Sequence, residues 1–232
     1  MAELVLVRHA QASFHSADYD RLSALGERQS RWLGEWFAMR GLRFDAMVTG
    51  TLRRHHQTLG GVCEGMGLAS DLPPLQLPGL DEYHFRAIVP AFESVEPAHP
   101  LVRARHAAPA DKAAFYRVLR LAIRAWSEDA LPGPLPESWS DFRARVEEAA
   151  SELQRLSERH ARILAISSGG AMATLFGGRF GLDAAQIVDV NLQIRNTSVS
   201  HFYLNRERFL LASWNAVPHL ELAGRGDVIT YG

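Results

Sequence analysis

The stretch Leu4-Val5-Leu6-Val7-Arg8-His9-Ala10-Gln11-Ala12 ends four consecutive apolar residues, two of them β-branched, at an arginine and a histidine. A short apolar run without polar alternation predicts a strand buried on both faces, as in the middle of a parallel sheet. Arg8 and His9 then stand at its carboxyl end, where open α/β sheets bind ligands. An imidazole there can attack phosphorus, and an adjacent guanidinium can hold phosphoryl oxygens through paired charge-assisted hydrogen bonds. The same pair can equally be two surface residues closing a buried strand. The rest of the chain decides between them.

Outward from this strand, residues 11–20 are polar and irregular and form a loop at the ligand end. Ser23 can cap a helix to about Arg40, with Leu25, Trp32, Leu33, Trp36 and Phe37 on one face and Gly41 as its stop. Residues 44–49 read as a second strand, giving a parallel crossover. There follows Thr49-Gly50-Thr51-Leu52-Arg53-Arg54-His55-His56-Gln57-Thr58, again a strand that yields to small residues and then arginines. The N–H groups and dipole of a helix start favour a phosphate at this point. The helix should continue to about Met66. The adjacent His55 and His56 make a poor metal site, because neighbours on a helix do not face each other.

Residues 73–80 are proline-rich and extended, and lead into Leu80-Asp81-Glu82-Tyr83-His84. Beyond them Pro90, Pro97, Pro100 and Pro109 break up the pattern. Asp111 then caps a helix with Phe115, Val118, Leu119, Ala122, Ile123 and Trp126 on one face and Arg117, Arg120 and Arg124 on another. We read 82–136 as an insertion over the ligand end, with the character of a lid. Ser138 and Asp141 form a capping box for a helix to about His160. Residues 162–167 are a buried strand, followed by Ser168-Gly169-Gly170 and a helix from near Ala171. Strand, serine-glycine turn and helix together make an anion-binding geometry. Strands over 199–204 and 209–214, joined by Asn205-Arg206-Glu207-Arg208, pair antiparallel. The expectation is a single domain over 1–232, a three-layer α/β/α sandwich. Its sheet is mostly parallel, with an antiparallel strand in the C-terminal part and a helical, lid-like insertion.

The bulk properties narrow the function classes. The 232 residues are 47% hydrophobic and 22% charged, ordinary for a globular chain. A formal charge of −1 supplies no field for nucleic acid or an anionic membrane. The single cysteine, Cys63, makes neither an intrachain disulfide nor a metal-ligand set. No apolar run is long enough to span a bilayer, and a strand begins too early for a signal peptide, so the expected location is the cytoplasm. Lys112 is the only lysine, which excludes a Walker-type loop and leaves no Schiff-base pattern.

Taken in order, these segments resemble the histidine phosphatase superfamily, the phosphoglycerate mutase-like group, over most of the chain. Leu6-Val7-Arg8-His9-Ala10 resembles its Arg-His-Gly signature, with Ala10 for glycine. Leu22-Ser23-Ala24-Leu25-Gly26-Glu27 resembles the helix start that follows, and 51–58 its second-arginine motif, with Arg54 favoured over Arg53. Leu80-Asp81-Glu82 resembles the segment bearing the acid. Weaker features are Glu137-Ser138, Asn196-Thr197-Ser198, and Asn215 with His219-Leu220. The resemblance implies His9 as a nucleophile that becomes phosphohistidine. Arg8 and Arg54 clamp the phosphoryl oxygens, and Glu82 protonates the leaving alkoxide and then activates water. Gln11, Ser13, Ser168 and Gly169 are candidate phosphate contacts. Neither metal nor cofactor is expected, since the arginines supply the positive charge.

One departure matters. Where the family carries a second histidine in a Ser-His-Gly-Gly pattern, this chain has Ser167-Ser168-Gly169-Gly170. A neutral hydroxyl replaces a charge-assisted donor, and losing such a donor commonly costs about 10²–10³ in turnover. The leading expectation is a phosphomonoesterase, attenuated by Ser168. The alternative is a phosphoester-binding regulatory protein that kept the pocket and lost the chemistry. A mutase and a Ser168 hydrolase rank lower, the latter because Ile166 stands where a Gly-x-Ser-x-Gly elbow needs glycine. The expected partner is a small-molecule phosphoester or inorganic phosphate, with the chain a monomer or homodimer. Arg86, Arg103, Arg105 and His106 in the insertion are candidate substrate contacts.

Overall fold

The apolar run at the N-terminus becomes β1 (Ala2–Arg8), and its two faces feed two different cores. Leu4 and Leu6 join one hydrophobic cluster, while Val5 and Val7 join another on the opposite side. Alternate side chains of a strand point to opposite faces, so a strand apolar at every position must be covered twice. The computed structural model describes residues 1–13, 20–68, 73–222 and 227–231. Most of the polar loop expected after β1 thus lies outside the described residues.

The chain continues through α1 (Ala24–Met39), β2 (Ala46–Thr49), α2 (Arg53–Gly65), β3 (Leu75–Gln76) and a 3₁₀ turn at Pro78–Leu80. Next come α3 (Phe85–Val95), α4 (Pro100–Ala107), α5 (Lys112–Ser127) and α6 (Trp139–Leu156). The C-terminal part contains β4 (Arg162–Ser167), α7 (Gly169–Phe180), α8 (Ala184–Asn191), β5 (Val199–Leu204) and β6 (Phe209–Ala216). The six strands form one sheet in the order β3-β2-β4-β1-β5-β6. β1, β2, β3 and β4 run parallel, whereas β5 is antiparallel to β1 and to β6. This is the three-layer, mostly parallel α/β architecture expected. One side of the sheet is covered by α1 and α2 through Leu33, Phe37, Leu59 and Val62. The other is covered by α3, α5, α6, α7 and α8. None of the described helices is long and apolar enough to cross a membrane.

Several boundaries differ from the sequence reading for identifiable reasons. Prolines did not prevent helices in the insertion. Pro100 occupies the first turn of α4, where its missing N–H would be unsatisfied anyway. Pro90 lies inside α3 but faces solvent, and burial of Ile88, Val89 and Phe92 outweighs its lost hydrogen bond. Helix α8 was not anticipated, although Asp183 and Gln186 form a full capping box; eight residues are too few to display a helical period. Helix α6 stops at Leu156 rather than near 160, and α7 begins at Gly169, directly after Ser168. Phe44 lies before β2 and packs edge-on against Phe37. The basic stripe on α5 pairs with α8: Arg120 bridges to Asp189, with Arg124 3.7 Å from the same carboxylate.

The segment 82–136 shares its core with the sheet. Trp126 of α5, Trp139 and Phe142 of α6 and Tyr83 form one aromatic cluster with centroid separations of 5.2–5.9 Å. The Arg145 guanidinium lies 4.6 Å from the Phe142 ring centroid. Phe142→Ala should lower unfolding free energy by about 3–5 kcal/mol. Urea unfolding followed by tryptophan fluorescence checks this, because Trp126 and Trp139 flank the void.

Candidate active site

Parallel β1, β2 and β4 deliver their carboxyl ends to one edge of the sheet, and the chemistry-bearing residues follow directly from them. His9 comes one residue after β1, Arg54 opens α2 beyond β2, and Ser168 and Gly169 follow β4. Asp81 and Glu82 arrive from the 3₁₀ turn after β3. The Leu80 carbonyl seats that turn on β4 by accepting from the Ser167 hydroxyl at 2.9 Å and the Ser168 N–H at 3.3 Å. Arg145 holds it from behind. One of its nitrogens donates to the carbonyls of Pro78 and Asp81, and another donates to that of Glu82. Its fork on Glu137, at 2.8 and 2.9 Å, fixes the guanidinium plane. That gives Glu137, a weak feature in the sequence, a concrete role.

His9 is buried, and its hydrogen bonds define its tautomer. Nδ1 lies 2.8 Å from the Ala10 carbonyl, which can only accept, so Nδ1 carries the proton. Nε2 keeps its lone pair and accepts from Arg54 Nε at 3.1 Å. Burial, then the Arg54 and Arg8 cations, hold the His9 pKa well below the ordinary imidazole range. The His9 carbonyl is fixed by the Asn196 side-chain amide at 3.0 Å. Thr197 adopts a positive φ of 55° beside it, and its hydroxyl lies 2.8 Å from His219 Nε2. The two arginines are fixed differently. Arg54 pairs with Asp20 at 2.7 Å. Arg8 donates to the carbonyls of Ile194 and Tyr231, while its buried Nε has no hydrogen-bond partner among the described residues.

Glu82 faces this group. Its carboxylate accepts from the Gly170 N–H at 3.0 Å and from its neighbour Tyr83 at 3.3 Å. Burial raises its pKa, and the opposing influence of Arg54 and Arg8 does not cancel that rise. Gly170 must be glycine, because a Cβ there would stand 2.2 Å from the Glu82 carboxylate and 2.3 Å from the Tyr83 ring. The Tyr83 hydroxyl is held by Asn191 at 2.9 Å. The pocket beside Arg8, His9 and Glu82 is walled by Phe85, Phe115, Tyr116 and Leu119 of α3 and α5, with Leu192 and Tyr231 opposite.

The other expected contacts divide. Gly169 borders Arg8 and Asn191: a Cβ there would stand 3.4 Å from Arg8 Nε and 2.9 Å from Asn191 Oδ1. Ser168 is fully buried, and its hydroxyl is 2.8 Å from His55 Nε2. Gln11 and Ser13 are engaged elsewhere. Gln11 accepts from the Ser23 hydroxyl, and Ser13 bonds to the backbone of Arg21 and Leu22, so both tie the loop to the start of α1. Arg105 and His106 face Glu93 within the insertion rather than the pocket. The sequence reading missed Asp20, Asp81, Asn191 and Asn196 as parts of the site, and underrated His55. Their partners are distant in the chain, so only the Leu80-Asp81-Glu82 and Asn196-Thr197-Ser198 motifs gave any signal.

Fold and site together define a mostly parallel α/β protein with an Arg-His-Arg-Glu cluster at the carboxyl ends of its strands. The model of the histidine phosphatase superfamily, branch 1, matches residues 4–217, and the chain belongs to that superfamily. Similar solved structures include phosphoglycerate mutase from Bacillus anthracis, with a TM-score of 0.66 and 15% identity over 94% of this chain and 95% of that one. The alpha-ribazole phosphatase from Shigella flexneri gives 0.63 and 21%, over 93% and 96%. A mycobacterial glucosyl-3-phosphoglycerate phosphatase in complex with inorganic phosphate gives 0.60 and 23%, over 93% and 98%. At these identities the likeness is one of fold.

Proposed function

We propose that the protein is a phosphomonoesterase that works through a phosphohistidine on His9. The observation that carries this reading is the unprotonated Nε2 of a buried His9, which accepts from Arg54 and lines one pocket with Arg8 and with Glu82, a carboxyl group of raised pKa. Arg54, which donates to the Nε2 lone pair, moves to the phosphoryl oxygens when substrate enters. Arg8, with its unpartnered Nε beside Gly169, holds those oxygens from the other side. Nε2 then forms a bond to phosphorus, the ester P–O bond breaks, and Glu82 gives its proton to the departing alkoxide. In the second half Glu82 takes a proton from water. The resulting hydroxide attacks phosphorus, and the P–N bond breaks to release phosphate and regenerate His9.

The similar structures include two phosphatases and one mutase, and we take the hydrolytic reading as the one to test first. The test is to mix the protein with p-nitrophenyl phosphate and quench in alkali, where phosphohistidine survives. Intact and peptide mass spectrometry should find one added phosphoryl group on the peptide containing His9, together with turnover. Phosphate binding without an adduct or turnover would instead support a phosphoester-binding regulatory protein. A Gly170→Ala variant should lose about 10²-fold in turnover, since the new methyl displaces the Glu82 carboxyl from its position. Steady-state kinetics at saturating substrate measure this.

A further inference from the structure

His55 takes no part in the mechanism above, yet it is fully buried against it. Its Nε2 lies 2.8 Å from Ser168 Oγ, its Nδ1 3.5 Å from Asp81 Oδ1, and its ring centroid 5.6 Å from that of His9. Asp81 is held for this contact by the Thr51 N–H at 2.7 Å and by the Thr51 hydroxyl. Gly50 makes the approach possible, because a Cβ there would stand 2.2 Å from Asp81 Oδ1 and 2.4 Å from His55 Nδ1. The acid, imidazole and hydroxyl come from three different strand ends: the turn after β3, the start of α2, and the junction of β4 with α7.

We propose that His55 supplies the imidazole that the chain lacks at position 168, and that it acts on the phosphoryl group through the Ser168 hydroxyl. This rests on the phosphatase reading of the pocket. Ser168 is then the catalytic residue that touches substrate, and His55 and Asp81 are positioning residues behind it. A hydroxyl can accept one hydrogen bond while donating another. With His55 protonated, Nδ1–H faces Asp81, Nε2–H donates to Ser168 Oγ, and the Ser168 O–H is left to donate to a phosphoryl oxygen. Positive charge is thereby delivered one hydroxyl further than a histidine at 168 would deliver it.

The charged and titratable groups around His55 are Asp81, Asp20, Arg54 and His9. Burial lowers its pKa, with Arg54 in the same sense, while Asp81 and Asp20 oppose them. A phosphate dianion adds negative charge beside Arg54 and favours the imidazolium, the added proton coming from solvent. Asp81 is suited to its role. Burial alone would raise its pKa, but its contact with His55 and the hydrogen bonds from Thr51 bring the net shift downward, so it stays ionised.

The experiment compares wild type, His55→Ala, His55→Gln, Ser168→Ala, the double variant His55→Ala/Ser168→Ala and the exchange variant His55→Ala/Ser168→His, on p-nitrophenyl phosphate across pH, with His9→Ala as the dead control. His55→Ala and Ser168→Ala should each lower kcat by about 10²–10³-fold, and their combination should lower it no further, as for groups that act as a unit. The exchange variant should regain most of the loss, because it returns an imidazole to position 168 in the space vacated by His55. His55→Gln keeps an amide within reach of Ser168 but cannot titrate, so it should stay slow and lose one ionisation from the pH profile. It carries the same test should His55→Ala fail to fold. A His55→Ala or His55→Gln enzyme as active as wild type, with His9→Ala dead, overturns this inference and leaves the phosphatase reading intact. If the wild type turns nothing over, the phosphatase reading fails. Calorimetric binding of inorganic phosphate then decides the matter. Weakening by about tenfold in His55→Ala and recovery in the exchange variant support the role of His55, and unchanged affinity rejects it.

Discussion

Replacing His9 with alanine is expected to lower the turnover of p-nitrophenyl phosphate by about 10⁴-fold or more, to the level set by the remaining pocket. The size follows from what His9 alone provides. Its Nε2 is the unprotonated nitrogen that accepts from Arg54 in the pocket His9 shares with Arg8 and Glu82, and burial with two neighbouring cations keeps it so. The sign of the pH effect is fixed by the same causes. A histidine whose pKa is lowered loses its proton at lower pH, so the nucleophile is available well into the acid range. The acid limb of the rate profile should therefore fall below the ordinary histidine range. The His9→Ala protein should still bind inorganic phosphate, since the two arginines remain, and it should show no adduct after alkaline quenching. Turnover that survives at the wild-type rate rejects His9 as nucleophile.

The second large effect belongs to Glu82. Glu82→Gln should reduce hydrolysis of an alkyl phosphate by about 10²–10⁴-fold and that of p-nitrophenyl phosphate less, because p-nitrophenolate leaves without much help from an acid. Burial raises the Glu82 pKa against the pull of Arg54 and Arg8. A carboxyl group with a raised pKa keeps its proton to higher pH, so the acid form persists into the range where His9 is already neutral. The rate should fall on the alkaline side as Glu82 ionises, and that limb should vanish in Glu82→Gln. Comparing glycerol 2-phosphate with p-nitrophenyl phosphate across pH measures both effects. An equal loss on the two substrates, with the alkaline limb intact, would assign the proton transfer to another group.

The sequence alone determined the frame. Four unbroken apolar residues before Arg8 required a strand covered on both faces, since Leu4 and Leu6 must go one way and Val5 and Val7 the other. The capping residues Ser23, Asp111 and Ser138 were legible because a cap is a contact between residues two or three apart. Arg8 and His9 could be picked out at the end of an apolar strand, whereas Arg54 and Glu82 were named through the family resemblance of their motifs. The helices of the insertion were harder to read. A proline is a local warning against helix, and only the burial of Ile88, Val89 and Phe92 overrules it at Pro90.

What only the tertiary structure decided was who meets whom. Ser168 reads in sequence as a lost histidine, and His55 as half of an adjacent histidine pair unsuited to a metal. Their contact spans 113 positions and exists because β2 and β4 lie side by side and end at the same edge. Asp81 reaches His55 only because Gly50 lacks a side chain. Gln11 and Ser13, which sit in the chain where phosphate contacts are expected, bond to residues 21–23 at the approach to α1. Secondary structure and caps arise from contacts within a few residues, so the sequence carries them openly. A catalytic constellation arises from sheet order and strand register, which place residues far apart in the chain within one hydrogen bond of each other.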